Sequence, residues 1–580
     1  MQELTIAFVG SGGDGAVSAG DIIATACASK GLHVIKTEAY GPQIRGGESS
    51  STVRVSSVSI HAQADEVDVL VVFNWADFAR FHDELILAGD AIIFHEPGDA
   101  PPPTIGSRPC FGVPFAALAK ECGAAGAKNV LAVGLAGSAL GLPLEALRTA
   151  IERRFARKAS AVIESNLRVF DRGVLEATGL GKLPKGLFTY EPGAPKLLMS
   201  GNEASAFGAI HAGCRFFAGY PITPSTEILQ FLAEWLPKLG GSTLQTEDEL
   251  SAIGATIGAS FAGRKAMTAT SGPGLSLMAE LLGLASIAEI PIVIMNVQRG
   301  GPSTGLPTKS EQSDLLHALY ASHGDTPRVV IACSDVEESF HATVDAFNIA
   351  EEYQLPVIIL SDQSIAQRRQ TLDEATLHHE VLQRRCATPD DLLEYRRYRS
   401  TPDGVSPISA PGRAGGVYQT NGLEHDEQGR PSASFQMHES MNAKRFRKLA
   451  AVADRYRLFH RFGAKRPEIG VICWGSSVGV VREALEHLGD DAARIGVFAP
   501  RMLAPMPRHE LQTFIDSCDS VLIAELSFSG QFYQYLRTQV ELPRGSTSLY
   551  SRSGGKALSA SEIVTVLRPL LMANQEEVLV

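Results

Sequence analysis

Short apolar runs alternate with stretches of helical spacing along most of this chain. Leu4–Val9, Val67–Phe73 and Ala91–Phe94 are continuous and rich in β-branched residues, as buried parallel strands are, whereas Ala16–Lys30 and Glu145–Phe155 carry helical periodicity. That alternation predicts a doubly wound α/β layer for the first segment. Residues 183–196 (LPKGLFTYEPGAPK) have no apolar face and read as a linker. A second alternating segment follows, with helices around Ala204–Ala212 and Ala255–Ala262 and strands at Pro291–Val297 and Leu355–Leu360; two Gly/Pro-rich loops, 219–226 and 299–308, sit between them. Residues 400–435 are dense in Gly, Pro, Ser and Asp and predict a long connector. A third, smaller α/β segment opens near Glu468, with a helix at Val478–Leu488 and strands at Ile495–Phe498 and Ser520–Glu525. The expected fold class is therefore α/β, three α/β domains at 1–185, 199–372 and 466–580, joined by a linker (186–198) and a connector (373–465).

Composition narrows the function. At 580 residues the chain exceeds one core, and 44% hydrophobic content with near-zero mean hydropathy is that of a soluble globular protein. A net charge of −12 argues against nucleic acid as a partner, because phosphate neutralisation needs a basic face. No apolar stretch approaches the ~20 residues of a membrane helix, and the start MQELTIAFVGSGG lacks the layout of a signal peptide. The eight cysteines contain no CxxC pair, so buried free thiols in a reducing, cytoplasmic setting are expected, with no iron–sulfur site.

Gly10-Ser11-Gly12-Gly13-Asp14-Gly15 follows a strand and opens a helix. Such glycines let backbone N–H groups approach a phosphate at a helix N-terminus. The order GxGGxG fits the dinucleotide fingerprint only in part, and Glu38 is a poor match for its acidic residue, so a nicotinamide or flavin site, another phosphate ligand and a tight structural turn all stand open. Arg45, in Tyr40–Glu48, either meets a ligand phosphate or pins its loop through carbonyls.

In the second segment, Gly219-Tyr220-Pro221-Ile222-Thr223-Pro224-Ser225-Thr226-Glu227 is a proline-stiffened loop offering hydroxyls at a helix start, where an N-cap is the ordinary role. Glu247, Asp248 and Glu249 lie at the next helix start and suit the macrodipole. Asn296–Thr308 delivers Arg299 into a Gly/Pro loop, where a guanidinium can grip a carboxylate bidentately. Lys309 either adds charge for a second carboxylate or, as favoured, faces solvent. His425, flanked by acids in Asn421–Asp426, is expected to be a solvated hydrogen-bond partner rather than a base.

GSGGDG followed by YGPQIRGG, then GYPITPSTE, the E-x-x-A-x-G stretch from Glu249 to Gly254, SGPG at 271–274 and RGGPSTGLPT from 299, in that order, resemble the 2-oxoacid:ferredoxin oxidoreductases. The resemblance spans nearly the whole chain and implies a γ-type domain, a thiamine diphosphate pyrimidine-binding domain and a transketolase C-terminal-like domain. By the same resemblance Glu249 activates the cofactor (Glu247 being second choice), with Ile222, Thr223, Pro224 and Gly272 as cofactor neighbours. Thr223, Arg299 and Thr308 would bind the 2-oxoacid, making Glu249, Thr223 and Arg299 the catalytic set. Gly12, Gly13, Gly15 and Arg45 are candidate coenzyme A or phosphate contacts. One departure is Ser406-Pro407-Ile408, where the family often reads SPR, so no role passes to that position.

The Gly13–Gly15 GDG lacks its following asparagine, so neither a metal-diphosphate motif nor cluster cysteines are expected here. The resemblance therefore implies a β subunit carrying Mg²⁺, the diphosphate grip and a [4Fe–4S] cluster, in an (αβ)₂ assembly serving ferredoxin. 2-Oxoglutarate with coenzyme A is the preferred substrate pair, in either direction, supported chiefly by RGGPSTGLPTKSEQSDL. Pyruvate or branched-chain 2-oxoacids, a dinucleotide-dependent oxidoreductase and a non-catalytic assembly subunit are the rival readings.

Overall fold

The continuous apolar runs become the central strands of three sheets in a computed structural model, which describes residues 2–41, 47–181, 183 and 188–578. The chain forms two compact units, one of Met1–Ser200 with Gln367–Thr376 and Ser559–Ser561, the other of the remaining residues.

The first unit is built on an eight-stranded mixed sheet. Strands Leu87–His95, Val67–Val72 and Glu3–Ser11 run parallel, as their apolar runs predict, and the short strand Cys110–Gly112 joins them parallel at the edge. Beyond them Glu48–Ser56, His33–Tyr40, Arg369–Leu372 and Leu197–Ser200 continue the sheet antiparallel. This half has no clean apolar signature. Ser49, Ser50, Ser51 and Lys36 are buried in it, Lys36 because Asp21 and Glu38 pair with its ammonium. Helices Ala16–Ala28 and Lys128–Leu140 pack their small-residue faces into one core with the parallel strands.

The second unit holds two sheets. In the larger, the strand order is Met502–Ala504, Val329–Ala332, Pro356–Asp362, Ile292–Gln298, Ala266–Thr270, Phe216–Gly219, Ser242–Gln245, parallel throughout except for 502–504. The smaller sheet contains Phe459–Gly463, Ile495–Pro500, Ile469–Cys473, Ser520–Glu525 and Thr547–Ser551. One continuous apolar cluster, running from Ala252 and Ile294 to Trp474 and Phe532, lies under both sheets. Residues 377–434 have little regular structure but are firmly pinned: Tyr398 is fully buried, and Arg384 bridges Glu351 and the Ser260 carbonyl. Helix Phe435–Arg455 then brings Lys444 and Lys448 onto Glu289, at 2.6 and 2.5 Å, with all three side chains sealed from solvent. Burial alone would raise the Glu289 carboxyl, but the two lysines and Arg397 hold it well below its usual range. Removing one member of such a cluster leaves an uncompensated buried charge, a cost of about 3–5 kcal/mol.

Four of the eight free cysteines (27, 214, 333, 473) are buried, while Cys110 and Cys386 are exposed, contrary to uniform burial. No helix is long and apolar enough to cross a membrane, among the described residues.

Glu525 ends strand 520–525 fully buried and accepts the N–H groups of Phe532 and Tyr533, both at 2.9 Å. Burial pushes its carboxyl from the usual 4.5 to about 7. A folded-state value above the unfolded one stabilises the fold below the unfolded value and loses that contribution as pH rises through the folded one. Thermal and denaturant unfolding of the wild type should therefore weaken between pH 4.5 and 7 by up to about 3 kcal/mol relative to Glu525→Gln. Parallel profiles for the two proteins would contradict this.

Candidate active site

Strands 216–219, 242–245, 266–270 and 292–298 are parallel neighbours, so the loops that leave their carboxyl ends emerge along one edge of the sheet. The chain crosses from 216–219 outward to 242–245 and then returns to 266–270 on the other side. The connection order thus reverses between 216–219 and 266–270, the position where open α/β sheets hold ligands. Thr223 and Gly272 lie in the two loops flanking that reversal.

The first loop is fixed from within. Ser225, expected as a helix cap, makes no side-chain cap; its hydroxyl donates to the Ile222 carbonyl at 3.0 Å and its N–H to the same oxygen at 2.9 Å. Buried Asn202 donates to the Pro224 carbonyl at 2.8 Å. Ile222 and Thr223 are left half-buried and Pro224 is buried. Arg299, which follows strand 292–298, is buried, and its Nη1 donates to the Thr223 carbonyl at 2.5 Å, so these two expected site residues do meet. Burial holds the guanidinium below its ordinary value, against the attraction of Asp314. Its Nε is buried with no hydrogen-bond partner among the described residues.

The three acids at the next helix separate by role. Asp248 is the N-cap of helix Glu249–Phe261, accepting from the Ser251 N–H at 2.7 Å, a bond that holds its carboxyl below the usual range. Glu247 is exposed and precedes the helix. Glu249 is buried, and its carboxyl has no hydrogen-bond or ion-pair partner among the described residues. It lies against Gly274: a Cβ there would stand 2.6 Å from Glu249 Oε1 and 2.0 Å from Thr270 Oγ1. Gly272 opens helix Gly272–Ile287, and both carboxyl oxygens of Asp314 lie over it. Ser271 Oγ and Asn296 Oδ1 are buried without hydrogen-bond partners among the described residues. The 300–309 loop closes on itself, the Gly300 N–H donating to Lys309 O and the Leu306 N–H to Gly300 O. This brings the backbone next to Thr308 back beside Gly300; Thr308 is half-buried, and no bond joins it to Arg299 among the described residues. Lys309 is half-buried against Gly555 rather than in solvent.

A sheet edge that brings together a carboxyl without a partner among the described residues and a guanidinium tied to a loop carbonyl suits a polar compound together with an anion. Sequence reading missed Asp314 and the orientation of Asn296. No 2- or 3.6-residue period marks either, because both are set by tertiary contact.

Two other expectations take a different shape. His425 is buried, not solvated; its Nδ1 lies 3.0 Å from the Leu423 carbonyl, the Tyr398 ring lies tilted against its own with centroids 4.0 Å apart, and burial lowers its pKa. In the N-terminal unit the glycine loop is largely occupied by its own chain. The Gly12 N–H donates to Gly47 O at 2.8 Å, and Asp14 accepts from the Ser11 N–H and pairs with Lys128. Gly15, at φ +81°, leaves room for Asn129, which a Cβ would meet at 2.6 Å; Gly13 faces open space among the described residues. Glu38 is spent on Lys36 and Tyr40. Arg45 lies outside the described residues.

Residues 207–444 match the family described as pyruvate flavodoxin/ferredoxin oxidoreductase, thiamine diphosphate-binding; residues 5–176 match pyruvate ferredoxin/flavodoxin oxidoreductase, and 467–563 match pyruvate:ferredoxin oxidoreductase core domain II. The 2-oxoacid:ferredoxin oxidoreductase 2 alpha subunit of Aeropyrum pernix is 31% identical over all of this chain and 99% of its own length. The 2-oxoglutarate synthase subunit KorA of Methanothermobacter thermautotrophicus is 38% identical over 64% of this chain and 97% of its own. Among solved structures, a 2-oxoglutarate:ferredoxin oxidoreductase from Magnetococcus marinus, with 2-oxoglutarate, coenzyme A and succinyl-CoA bound, superposes with a TM-score of 0.93 at 37% identity, covering 98% of this chain and 100% of that one.

The chain belongs to the 2-oxoacid:ferredoxin oxidoreductase family, a class of oxidoreductases that act with coenzyme A. Within it, the chain is of the alpha type that carries the γ-like domain on the same polypeptide.

Adding a methyl group at Gly274 should displace the Glu249 carboxyl. Gly274→Ala is expected to weaken thiamine diphosphate binding by the assembled enzyme about tenfold or more, roughly 1.4 kcal/mol. Gly258→Ala, on the same helix as Glu249 but with nothing within 4 Å of its Cβ position, should leave binding unchanged. Equal affinities in a calorimetric titration of the two variants would speak against the contact.

Proposed function

We propose that this chain is the alpha subunit of a 2-oxoglutarate:ferredoxin oxidoreductase, interconverting 2-oxoglutarate, coenzyme A and oxidised ferredoxin with succinyl-CoA, CO₂ and reduced ferredoxin. The observation that carries it is the convergence, at one sheet edge, of a buried unpartnered carboxyl (Glu249) with a buried guanidinium bound to the loop of Thr223 (Arg299).

Thiamine diphosphate, when bound, supplies the carbon nucleophile that this chain lacks. Glu249 is positioned to exchange a proton with its aminopyrimidine ring, a task that needs a carboxyl group not already committed to a protein partner. Gly272 and Gly274 leave room for the Asp314 and Glu249 carboxyls against the backbone. Arg299 would meet the carboxylate of the 2-oxoacid with the part of its guanidinium left accessible while Nη1 fixes the loop, and a charge-assisted bond of that kind contributes about 1.5–3 kcal/mol. Thr223 would orient the substrate carbonyl, where negative charge develops. Thr308 would be a further substrate contact. The choice of 2-oxoglutarate is supported by the KorA relatives and the Magnetococcus enzyme.

Among the described residues no group of three or more His, Cys, Asp or Glu side chains could hold a metal ion. We assign Mg²⁺, the diphosphate grip and the [4Fe–4S] cluster to a β subunit, in an (αβ)₂ complex that passes electrons to ferredoxin. The purified chain alone should lack iron absorbance and turnover.

Co-expression with a β subunit and assay of a 2-oxoacid panel with a low-potential dye tests the substrate. 2-Oxoglutarate should exceed pyruvate and branched-chain 2-oxoacids in kcat/KM by at least about tenfold; a preference for pyruvate overturns that part of the assignment. In the same complex, Glu249→Gln should lower kcat by about 100-fold or more while the subunits still coelute. If activity survives, the proton-exchange role passes to Glu247.

A further inference from the structure

Parallel strands Ile469–Cys473, Ser520–Glu525 and Thr547–Ser551 of the smaller sheet send their loops out along one carboxyl edge. Such an edge is where open α/β sheets hold ligands. Here it holds a piece of its own chain. After the first strand, Trp474 O accepts from Gln312 Nε2 at 2.7 Å. After the second, the Leu526 backbone exchanges two bonds with Gln312, at 2.7 and 2.9 Å. After the third, Gly555 O accepts from the Ser310 N–H at 3.2 Å. Buried Glu311 completes the set, accepting from the Gly554 N–H at 3.2 Å and from Ser313 Oγ at 3.1 Å.

The same segment is fastened to the large sheet as well. Ser310 Oγ donates to Asp362 Oδ1 and the Asp314 N–H to Gln298 Oε1, both at 3.1 Å. Asp314 forgoes the cap of helix Leu315–Tyr320 and accepts from Asn296 Nδ2 at 3.0 Å. Gln298 and Asp362 are register partners on neighbouring strands, and Arg299 directly follows Gln298. The loop carrying Arg299 and Thr308 thus leaves the sheet at Gln298 and is recovered at Ser310, beside Asp362.

The 552–557 loop presses closest on it. Arg552 stiffens that loop: Nη1 donates to Lys556 O and Nη2 to Ala557 O, both at 2.8 Å, while Nε pairs with Glu562 at 2.7 Å. Gly555, at φ +76°, comes so near that a Cβ would stand 2.5 Å from Lys309 Cβ and 3.3 Å from Leu306 Cδ1. Leu306 and Lys309 carry the backbone groups that close the loop onto Gly300, and Thr308 lies between them in sequence.

We propose that Glu311 and Gly555 are positioning residues for the 2-oxoacid: the 552–557 loop clamps residues 309–311 and so holds Thr308 and Arg299 in place for the substrate. This deepens, and rests on, the reading of Arg299 and Thr308 as substrate contacts. Glu311 and Gly555 act through the loop and not on the substrate itself.

The test uses the assembled α–β complex and the preferred 2-oxoacid of the panel above. Glu311→Ala removes the acceptor of the Gly554 N–H, and Gly555→Ala drives a methyl group into Lys309. Each should raise the KM for the 2-oxoacid about tenfold. The kcat, the KM for coenzyme A and the calorimetric affinity for thiamine diphosphate should stay within about twofold, a split that general loss of packing does not produce. Glu311→Gln keeps an oxygen for Gly554 and should remain within about threefold of the wild type. Because both alanines loosen one clamp, the double variant should rise by less than the product of the single effects. An unchanged 2-oxoacid KM in both alanine variants, or equal losses for 2-oxoacid, coenzyme A and thiamine diphosphate, overturns the proposal. If Glu311→Ala fails to assemble, Gly555→Ala decides alone: a rise confined to the 2-oxoacid supports the clamp and an unchanged KM overturns it. Arg299→Lys separates the two readings. Where it leaves the 2-oxoacid KM unchanged, the substrate reading falls and this inference with it; where it raises that KM while the clamp variants match the wild type, only the inference falls.

Discussion

A single hydrogen bond, from Arg299 to the carbonyl of Thr223, joins two loops 76 residues apart and sets the geometry on which the proposed site depends. It forms because the strands that launch the loops belong to one parallel array, whose carboxyl ends share an edge. A guanidinium with one nitrogen spent on the backbone has little orientational freedom left. What remains unpaired is then aimed rather than mobile, the condition for recognising a carboxylate without a reorganisation cost.

Several features of that edge are legible in the chain itself. Fully buried strands such as Ile292–Gln298 and Pro356–Asp362 stand out as apolar runs, and the Gly/Pro loops after the strands stand out as breaks in them. Glu249 is distinguishable from its acidic neighbours only once the helix start is known. An N-cap at Asp248 leaves Glu247 outside the helix and turns Glu249 inward, and one residue of register decides it. Other features left no pattern to read. The antiparallel half of the first sheet is rich in buried serines and holds an ion-paired lysine, so hydropathy has nothing to register. His425 sits among acids, which suggests solvent, yet a ring packed against Tyr398 is protected by a residue distant in sequence. Asp314 is a similar case: its cap position is visible locally, but the preference for Asn296 over the cap arises from tertiary packing.

The irregular stretch between the two sheets of the second unit shows how a segment without periodicity can still be rigid. Its order comes from charged side chains that reach backbone carbonyls and carboxylates, as Arg384 and Arg397 do, and from the helix that delivers two lysines to Glu289. Because all three of those side chains are sealed from water, the connector cannot lift away without stranding a charge.

Strand Met502–Ala504 crosses from the last segment to finish the large sheet beside Val329–Ala332. Without it, 329–332 would become an open β-edge, a row of bare N–H and C=O groups able to template pairing with another chain. The C-terminal layer therefore doubles as a guard against aggregation of the cofactor-binding layer. A polypeptide cut before residue 467 would expose a sticky margin that the intact protein keeps covered.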